Sequence, residues 1–126
     1  MTVVDSSVWI ARLSETDNQH AQAERVFEEL EGSRVLVPEY IAIEVCTILA
    51  RREGKDKADV FIDMVRDNED IEYYGAGLSF FHEVLRLFRV RGDDKLSFTD
   101  VALLHLSKEF SVVTFDRALQ KALEAE

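Results

Sequence analysis

The sequence predicts an α/β fold of three layers, in which helices cover both faces of a central, mainly parallel sheet of four to five strands. Short apolar runs alternate along the chain with longer segments of helical periodicity, which is typical of such sheets. The single proline, and the lack of a Ser/Gly-rich linker or an internal repeat, indicate one domain over residues 1–126. With 47% hydrophobic residues, a chain of this length can bury a core without disulfides.

The first quarter of the chain predicts one strand and two helices. Residues 2–4 are an apolar strand candidate, and residues 6–13 form a helix that turns directly out of it. A second helix spans residues 18–30 and is ended by Gly32.

The next segments repeat the alternation of strand and helix. The Val-Leu-Val run at residues 35–37 predicts a second buried strand, which Pro38 stops. Helices are expected at residues 39–52 and 55–67, with Gly54 between them.

The last segments complete the pattern. Residues 71–74 predict a third strand and residues 78–89 a helix. Apolar residues recur at helical spacing over residues 97–110, residues 112–115 return to the strand pattern, and residues 116–124 form the last helix. Functional groups in such a fold are expected outside the carboxyl ends of the strands.

Four carboxylates are candidates for these functional groups: Asp5, Glu44, Asp100 and Asp116. Asp5 and Asp116 follow apolar runs where helices begin, so each has an alternative role as a helix N-cap. Asp100 stands three residues after Ser97, which also fits a capping box. Glu44 is the only charged residue in the apolar stretch 41–49, so it faces either a cation or solvent at the edge of the helix.

Together the four carboxylates predict a site for Mg²⁺ or Mn²⁺. These ions prefer oxygen ligands, and they are usually held by one or two direct carboxylates, water and substrate phosphate. The histidines, His20, His82 and His105, lack the paired spacing of a zinc site.

The charge and the absence of targeting signals restrict the class of protein. The formal net charge of -10 argues against a protein that coats nucleic acid by neutralising phosphates, but it does not exclude a nuclease. The chain has a single cysteine, and no N-terminal signal or stretch approaching the roughly 20 apolar residues of a membrane span. We therefore expect a soluble protein in the reducing cytoplasm.

Four segments around these carboxylates resemble the PIN-domain ribonucleases, and more narrowly the VapC toxins. They are Val-Val-Asp-Ser-Ser-Val-Trp-Ile at residues 3–10, Ile-Glu-Val at 43–45, Leu-Ser-Phe-Thr-Asp at 96–100 and Val-Thr-Phe-Asp-Arg at 113–117. The resemblance implies that Asp5 and Asp100 ligate the metal directly. It also implies that Glu44 and Asp116 complete the catalytic pocket, directly or through water.

The resemblance further implies the activity and the partners. The activity would be hydrolysis of phosphodiester bonds in single-stranded or structured RNA, with Mg²⁺ or Mn²⁺ activating water. The partners would be a second copy of the chain and a cognate antitoxin that inserts a basic segment into the acidic pocket. Ser7 and Thr99 could hydrogen-bond the carboxylates or the scissile phosphate, although the polarity of a helix start also explains them.

Two further groups of residues have both a structural and a functional interpretation. The first is basic and either complements helix ends or forms a rim that guides phosphates: Arg51, Arg52, Lys55 and Lys57, then Arg86, Arg89, Arg91 and Lys95. The second is apolar and either packs in the core or supports self-association: Phe80, Phe81, Leu85 and Phe88.

Other classes of protein fit less well. An aspartyl-phosphate phosphatase needs a second carboxylate two residues after Asp5, where this chain has Ser7. A receiver domain needs an Asp at the end of a middle strand, which the second and third strands lack. A PIN-fold RNA-processing enzyme without an antitoxin, or a catalytically weak binding module, stays open as an alternative.

Overall fold

Four parallel strands form one sheet in the computed structural model, which describes residues 1–91 and 95–126. The strands are β1 (Thr2–Val4), β2 (Val35–Pro38), β3 (Ile71–Tyr74) and β4 (Ser111–Val113). Their order is β3-β2-β1-β4, and every neighbouring pair is parallel. The predicted α/β fold with a sheet of four to five strands is confirmed.

Seven helices flank the sheet in the described part of the chain. They are α1 (Ser6–Leu13), α2 (His20–Glu29), α3 (Glu39–Arg52), α4 (Lys55–Asp67), α5 (Leu78–Arg91), α6 (Phe98–Leu106) and α7 (Arg117–Ala125). Helix α1 packs on α2 and α3, and α3 packs on α4, whereas α5 packs on α6 and α6 on α7. Because crossovers between parallel strands are right-handed, the two groups of helices cover opposite faces of the sheet.

Six elements have bounds that differ from the sequence prediction, and for α2, α6 and β4 the difference has a local reason. Helix α2 begins at His20 rather than residue 18, because the Asp17 side chain accepts the Gln19 amide at 2.8 Å in a turn. Helix α6 ends at Leu106, since the chain then turns, with the Phe110 amide still bonded to the Leu106 carbonyl at 3.0 Å. Strand β4 spans Ser111–Val113 and ends before Thr114, whose hydroxyl bonds the Asp5 side chain.

Trp9 lies at the centre of the core between the sheet and its first helices. Its ring is fully buried and packs on Phe27 of α2, with ring centroids 4.8 Å apart, and edge-on against Phe61 of α4 at 5.1 Å. These contacts join α1, α2 and α4, so the packing that fixes the start of α1 also fixes the direction in which it leaves β1.

No helix in residues 1–91 or 95–126 combines the length and the apolar character that crossing a bilayer requires.

The strand order places the direction change of the sheet between β1 and β4. The chain moves outward from β1 through β2 to β3 and then returns across the sheet to β4 on the other side of β1. Crevices at such reversal points, outside the carboxyl ends of the strands, are where α/β sheets bind ligands. Asp5 follows β1 directly, and Thr114 and Asp116 follow β4, so all three reach this crevice.

Candidate functional site

A cleft of about 600 Å³ at the carboxyl edge of the sheet gathers all four predicted carboxylates. Asp5 comes from the end of β1, Glu44 from α3, Asp100 from the first turn of α6, and Asp116 from the residue before α7. The structure therefore brings together residues from four separate elements of the chain.

Asp5 is the most enclosed of these carboxylates, with 6% of its surface exposed. Its Oδ1 accepts the Ser6 amide at 2.8 Å, so Asp5 caps helix α1. Its Oδ2 accepts two hydroxyl groups, from Ser7 at 3.0 Å and from Thr114 at 2.7 Å. Asp5 thus caps the helix and also presents a carboxylate held in one orientation at the floor of the cleft.

The two hydroxyls that hold Asp5 also join the ends of β1 and β4. The Ser7 hydroxyl accepts the Phe115 amide at 3.1 Å, and the Thr114 hydroxyl accepts the Asp116 amide at 3.0 Å. The Gln120 side-chain amide donates to the Thr114 carbonyl at 2.8 Å, which ties this segment to α7. The hydroxyls of Ser7 and Thr114 each donate one hydrogen bond and accept another inside the protein, as a rigid site requires.

Glu44 faces the cleft rather than bulk solvent. It is half-buried, and its Oε1 accepts a short hydrogen bond from the Ser6 hydroxyl, which also lies 3.4 Å from Oδ1 of Asp5. Ser6 therefore bridges the carboxylates of Asp5 and Glu44. Glu44 therefore has a polar partner although its neighbours in the sequence are apolar.

Asp100 and Asp116 each serve as a helix cap and as a wall of the cleft. Oδ2 of Asp100 accepts the Ser97 amide at 3.0 Å while the Ser97 hydroxyl accepts the Asp100 amide at 3.1 Å, a complete capping box. Oδ1 of Asp116 accepts the Leu119 amide at 2.9 Å. Each cap uses one carboxylate oxygen, so the other oxygen of each residue can take a ligand.

The electrostatics of the cleft suit a bound cation. Burial raises the pKa of Asp100 above its usual range, and the negative charges of Asp116 and Asp5 raise it further against the lowering effect of the Ser97 hydrogen bonds. A carboxyl group in this setting holds its negative charge at a cost that an opposite charge would relieve. The amino ends of α1, α6 and α7 open on the cleft, and their partial positive charges offset part of the acidic charge.

The donor set fits a hard divalent cation. The described residues that line the cleft offer carboxylate, hydroxyl and amide oxygens, and neither histidine nor cysteine is among them. Within residues 1–91 and 95–126 no three acidic, His or Cys side chains stand close enough to enclose a metal ion by themselves. Mg²⁺ does not need such a cage, because it is commonly held by one or two carboxylates and keeps several waters.

The structure adds residues to the site that the sequence did not single out. Ser6 and Thr114 hold carboxylates, while Asp17 and Gln19 line the cleft. Thr114 could have been predicted from the sequence, since it is a polar residue directly after an apolar strand and two residues before Asp116.

Thr99 lies at the cleft, but its hydroxyl does not bond a carboxylate, which was one of its two expected partners. Its hydroxyl is 3.0 Å from the Ser97 hydroxyl, so it contacts the residue that caps with Asp100 rather than a carboxylate. Ser7, by contrast, bonds Asp5 directly, as described above.

The members of the predicted basic and apolar groups do not all lie in the same kind of environment. Among the basic residues, Arg52 and Lys95 line the cleft. Lys55 instead pairs with Asp59 at 3.0 Å, and Arg86 pairs with Glu83. Among the apolar residues, three are exposed on α5 and one is half-buried: Phe81, Leu85 and Phe88, then Phe80.

Comparisons with known proteins agree with this fold. The family model described as "PIN domain" matches residues 2–124. The crystal structure of VapC20 from Mycobacterium tuberculosis, described as a toxin that cleaves the sarcin-ricin loop, superposes with a TM-score of 0.84 over 97% of this chain and 95% of VapC20. The two chains are 20% identical, so this likeness shows a shared fold. No curated protein sequence matches the chain significantly. The match along nearly the whole chain shows that the protein belongs to the PIN-domain family.

Proposed function

We propose that the protein is a ribonuclease that hydrolyses phosphodiester bonds in RNA with Mg²⁺ or Mn²⁺. The observation that carries this proposal is the convergence of Asp5, Glu44, Asp100 and Asp116 on one cleft at the reversal point of the sheet. Membership of the PIN-domain family supports the nuclease class. The described activity of VapC20 on the sarcin-ricin loop supports RNA as the substrate.

The residues of the cleft would have different roles in hydrolysis. A bound divalent cation would supply Lewis-acid stabilisation of the phosphate and a water of lowered pKa. Asp5 and Asp100 would hold the cation, and Ser7 and Thr114 keep Asp5 in orientation. Glu44 and Asp116 would complete the pocket and accept a hydrogen bond from the attacking water. No side chain needs to act as a nucleophile.

The proposal is tested by incubating purified protein with mixed-sequence single-stranded RNA in Mg²⁺ or Mn²⁺ and in EDTA. We expect cleavage that needs metal, and we expect Asp5→Asn and Asp100→Asn to abolish it while circular dichroism shows a folded protein. Asp63→Asn on α4 is the matched control, because Asp63 is exposed and lies outside the cleft. Full activity of both cleft variants would refute the assignment.

A toxin that an antitoxin restrains is the biological role we propose for this nuclease. The support is the likeness to VapC20, described as a toxin, and the acidic cleft, which suits a partner's arginine side chain. Induced expression in a bacterial host should arrest growth, and Asp5→Asn should relieve the arrest. Metal-dependent RNA cleavage without growth arrest would instead favour an RNA-processing enzyme that has no antitoxin.

A binding module without catalysis is the other outcome of these experiments. It would be recognised by Mn²⁺ raising the melting temperature of the protein while no RNA is cut, because a ligand that binds only the folded state stabilises it.

A further inference from the structure

Arg52 lies on the same stripe of helix α3 as Glu44. The residues Glu44, Ile48 and Arg52 are spaced four apart, which places them on one face of a helix. All three line the acidic cleft. Eight residues of helix rise about 12 Å. Arg52 is exposed whereas Glu44 is half-buried, so Arg52 stands at the rim of the cleft and Glu44 deeper in it.

The Arg52 guanidinium forms no hydrogen bond or ion pair with any residue in the described ranges. This is notable because five carboxylates line the same cleft: Asp5, Asp17, Glu44, Asp100 and Asp116. The acidic residues of the cleft have other partners, as Asp17 bonds the Gln19 amide and Glu44 bonds the Ser6 hydroxyl. A cationic side chain that is exposed and unpaired at the rim is available to a ligand.

We propose that Arg52 binds a phosphate of the RNA strand beside the position of cleavage. The inference rests on the proposed nuclease function and adds a substrate-binding residue to it. A polyanionic strand that enters a cleft of five carboxylates is repelled wherever no cation faces it. Guanidinium offers two parallel N–H donors that match phosphate oxygens, so one arginine both attracts the strand and fixes its register.

The position of Arg52 in the last turn of α3 offers a structural alternative. Cations there are favoured by the negative end of the helix dipole. Arg51 occupies the same turn and is also exposed, but it does not line the cleft. A comparison of the two arginines therefore separates a contact with substrate from an effect on the helix.

The experiment compares Arg52→Gln with Arg51→Gln in the full chain. For Arg52→Gln we expect KM for single-stranded RNA to rise about tenfold, the loss of one charge-assisted hydrogen bond, with kcat within about twofold of wild type. Arg51→Gln should keep both constants. Arg52→Lys should lower KM again relative to Arg52→Gln, because it restores the charge without the paired donors.

Two further readouts exclude a structural effect. In the Asp5→Asn background, where RNA is bound and not cut, fluorescence anisotropy measures the binding constant for RNA at several salt concentrations. The slope of its logarithm against the logarithm of the salt concentration should be smaller in magnitude by about 0.7 for Arg52→Gln. Mn²⁺ affinity measured by calorimetry should be unchanged or tighter, since a positive charge has been removed near the metal.

The outcomes separate the two proposals. If wild type cuts RNA with metal and Arg52→Gln behaves like Arg51→Gln, or loses kcat at constant KM, the role of Arg52 is overturned and the nuclease stands. If wild type neither cuts RNA nor binds Mn²⁺, both proposals fall.

Discussion

Asp5 is held by hydroxyl groups rather than by a charged partner. A lysine or arginine beside Asp5 would compete with a metal ion for the carboxylate, whereas Ser7 and Thr114 orient it and leave its negative charge in place. The same hydroxyls accept backbone amides of the segment after β4, so one pair of side chains fixes both the carboxylate and the chain around it.

Replacing Thr114 with valine keeps the shape of the side chain and removes the hydroxyl. Because Thr114 is buried and the Asp116 amide loses its hydrogen-bond acceptor, we expect Thr114→Val to lower the free energy of unfolding by about 1–3 kcal/mol. Mn²⁺ affinity should fall by roughly 10–100-fold, since Asp5 loses an orienting bond. Calorimetric titration and urea denaturation measure the two effects. Unchanged metal affinity would show that Thr114 only supports the fold.

Asp100 makes the free energy of unfolding of the metal-free protein depend on pH, and the direction follows from its raised pKa. Its pKa is raised in the folded protein, first by burial and then by Asp116 and Asp5, so the folded state binds a proton more tightly than the unfolded state. The stabilisation from this group is complete below the unfolded pKa of about 3.9, and it is lost as pH rises through the folded pKa.

The free energy of unfolding of wild type minus that of Asp100→Asn, both in EDTA, should therefore fall as pH rises from about 4 towards neutrality. Urea denaturation at several pH values measures this difference. The Asn variant removes the titrating group and keeps the overall size of the side chain. A difference that rises with pH would contradict the raised pKa of Asp100.

Gly54 sets the relative direction of helices α3 and α4. It lies at φ +103° and ψ 160°, a conformation that residues with a side chain rarely adopt. Its amide bonds the Leu49 carbonyl at 3.1 Å and so ends α3, and α4 begins at the next residue. The packing of α4 on the core through Phe61 depends on this turn.

Gly54→Ala should lower the free energy of unfolding by about 1–3 kcal/mol, because of backbone strain. An added Cβ at Gly54 would meet no atom within 4 Å, so steric overlap does not contribute. Gly75→Ala is the control, since its Cβ would meet only the flexible end of the Glu39 side chain and its φ is not positive. Chemical denaturation should show a lower free energy of unfolding for Gly54→Ala than for Gly75→Ala. Equal decreases in the two variants would refute the strain argument.

The elements were predictable from the sequence to the extent that local periodicity defines them. Strand β1 and helix α1 have the predicted bounds, since an apolar run followed by a capping carboxylate specifies both. Helix α6 ends four residues earlier than its apolar stripe, because Phe110 continues the pattern while the backbone turns. Pairing between strands lies outside any local pattern. The sequence therefore did not predict that β4 adjoins β1, nor that Thr114 bonds Asp5.

The site was predictable as a set of residues but not as a geometry. Asp5, Asp100 and Asp116 each had a capping and a ligand interpretation, and the structure shows caps at all three while placing them on one cleft. The two interpretations do not compete, because a cap leaves oxygen lone pairs available. Ser6 entered the site only through the packing of α3 against α1. Arg52 belonged to a predicted basic group, but the sequence did not show which members of that group would line the cleft.

At the scale of the whole molecule, the exposed apolar residues of α5 favour self-association. Phe81, Leu85 and Phe88 are 47%, 41% and 44% exposed, and Ile43 on α3 is 67% exposed. Ile43 and Phe81 line one groove, and clustered exposed apolar residues are typical of protein interfaces. We propose a homodimer through this surface.

Light scattering at micromolar concentration should give twice the mass of the chain for wild type. Leu85→Glu should shift the protein to a monomer, since a charge in an apolar interface loses its hydration. Val60→Glu on α4 is the control, with a side chain 43% exposed in wild type and located away from α5. A wild-type protein of single-chain mass would exclude this dimer.

The hydrogen bond between Thr114 and Asp5 joins residues 109 positions apart, and this separation has a consequence during protein synthesis. At about 5–20 residues per second, the ribosome adds Thr114 on the order of 5–20 seconds after Asp5. Throughout that interval β1 has no β4 beside it, and neither Asp100 nor Asp116 is in place until the end. A nascent chain therefore carries Asp5, the first of the proposed metal ligands, without a complete cleft. Under the proposed ribonuclease function, the translation machinery, whose RNA is the kind of polymer this cleft would cut, would meet the activity only once the chain is nearly finished.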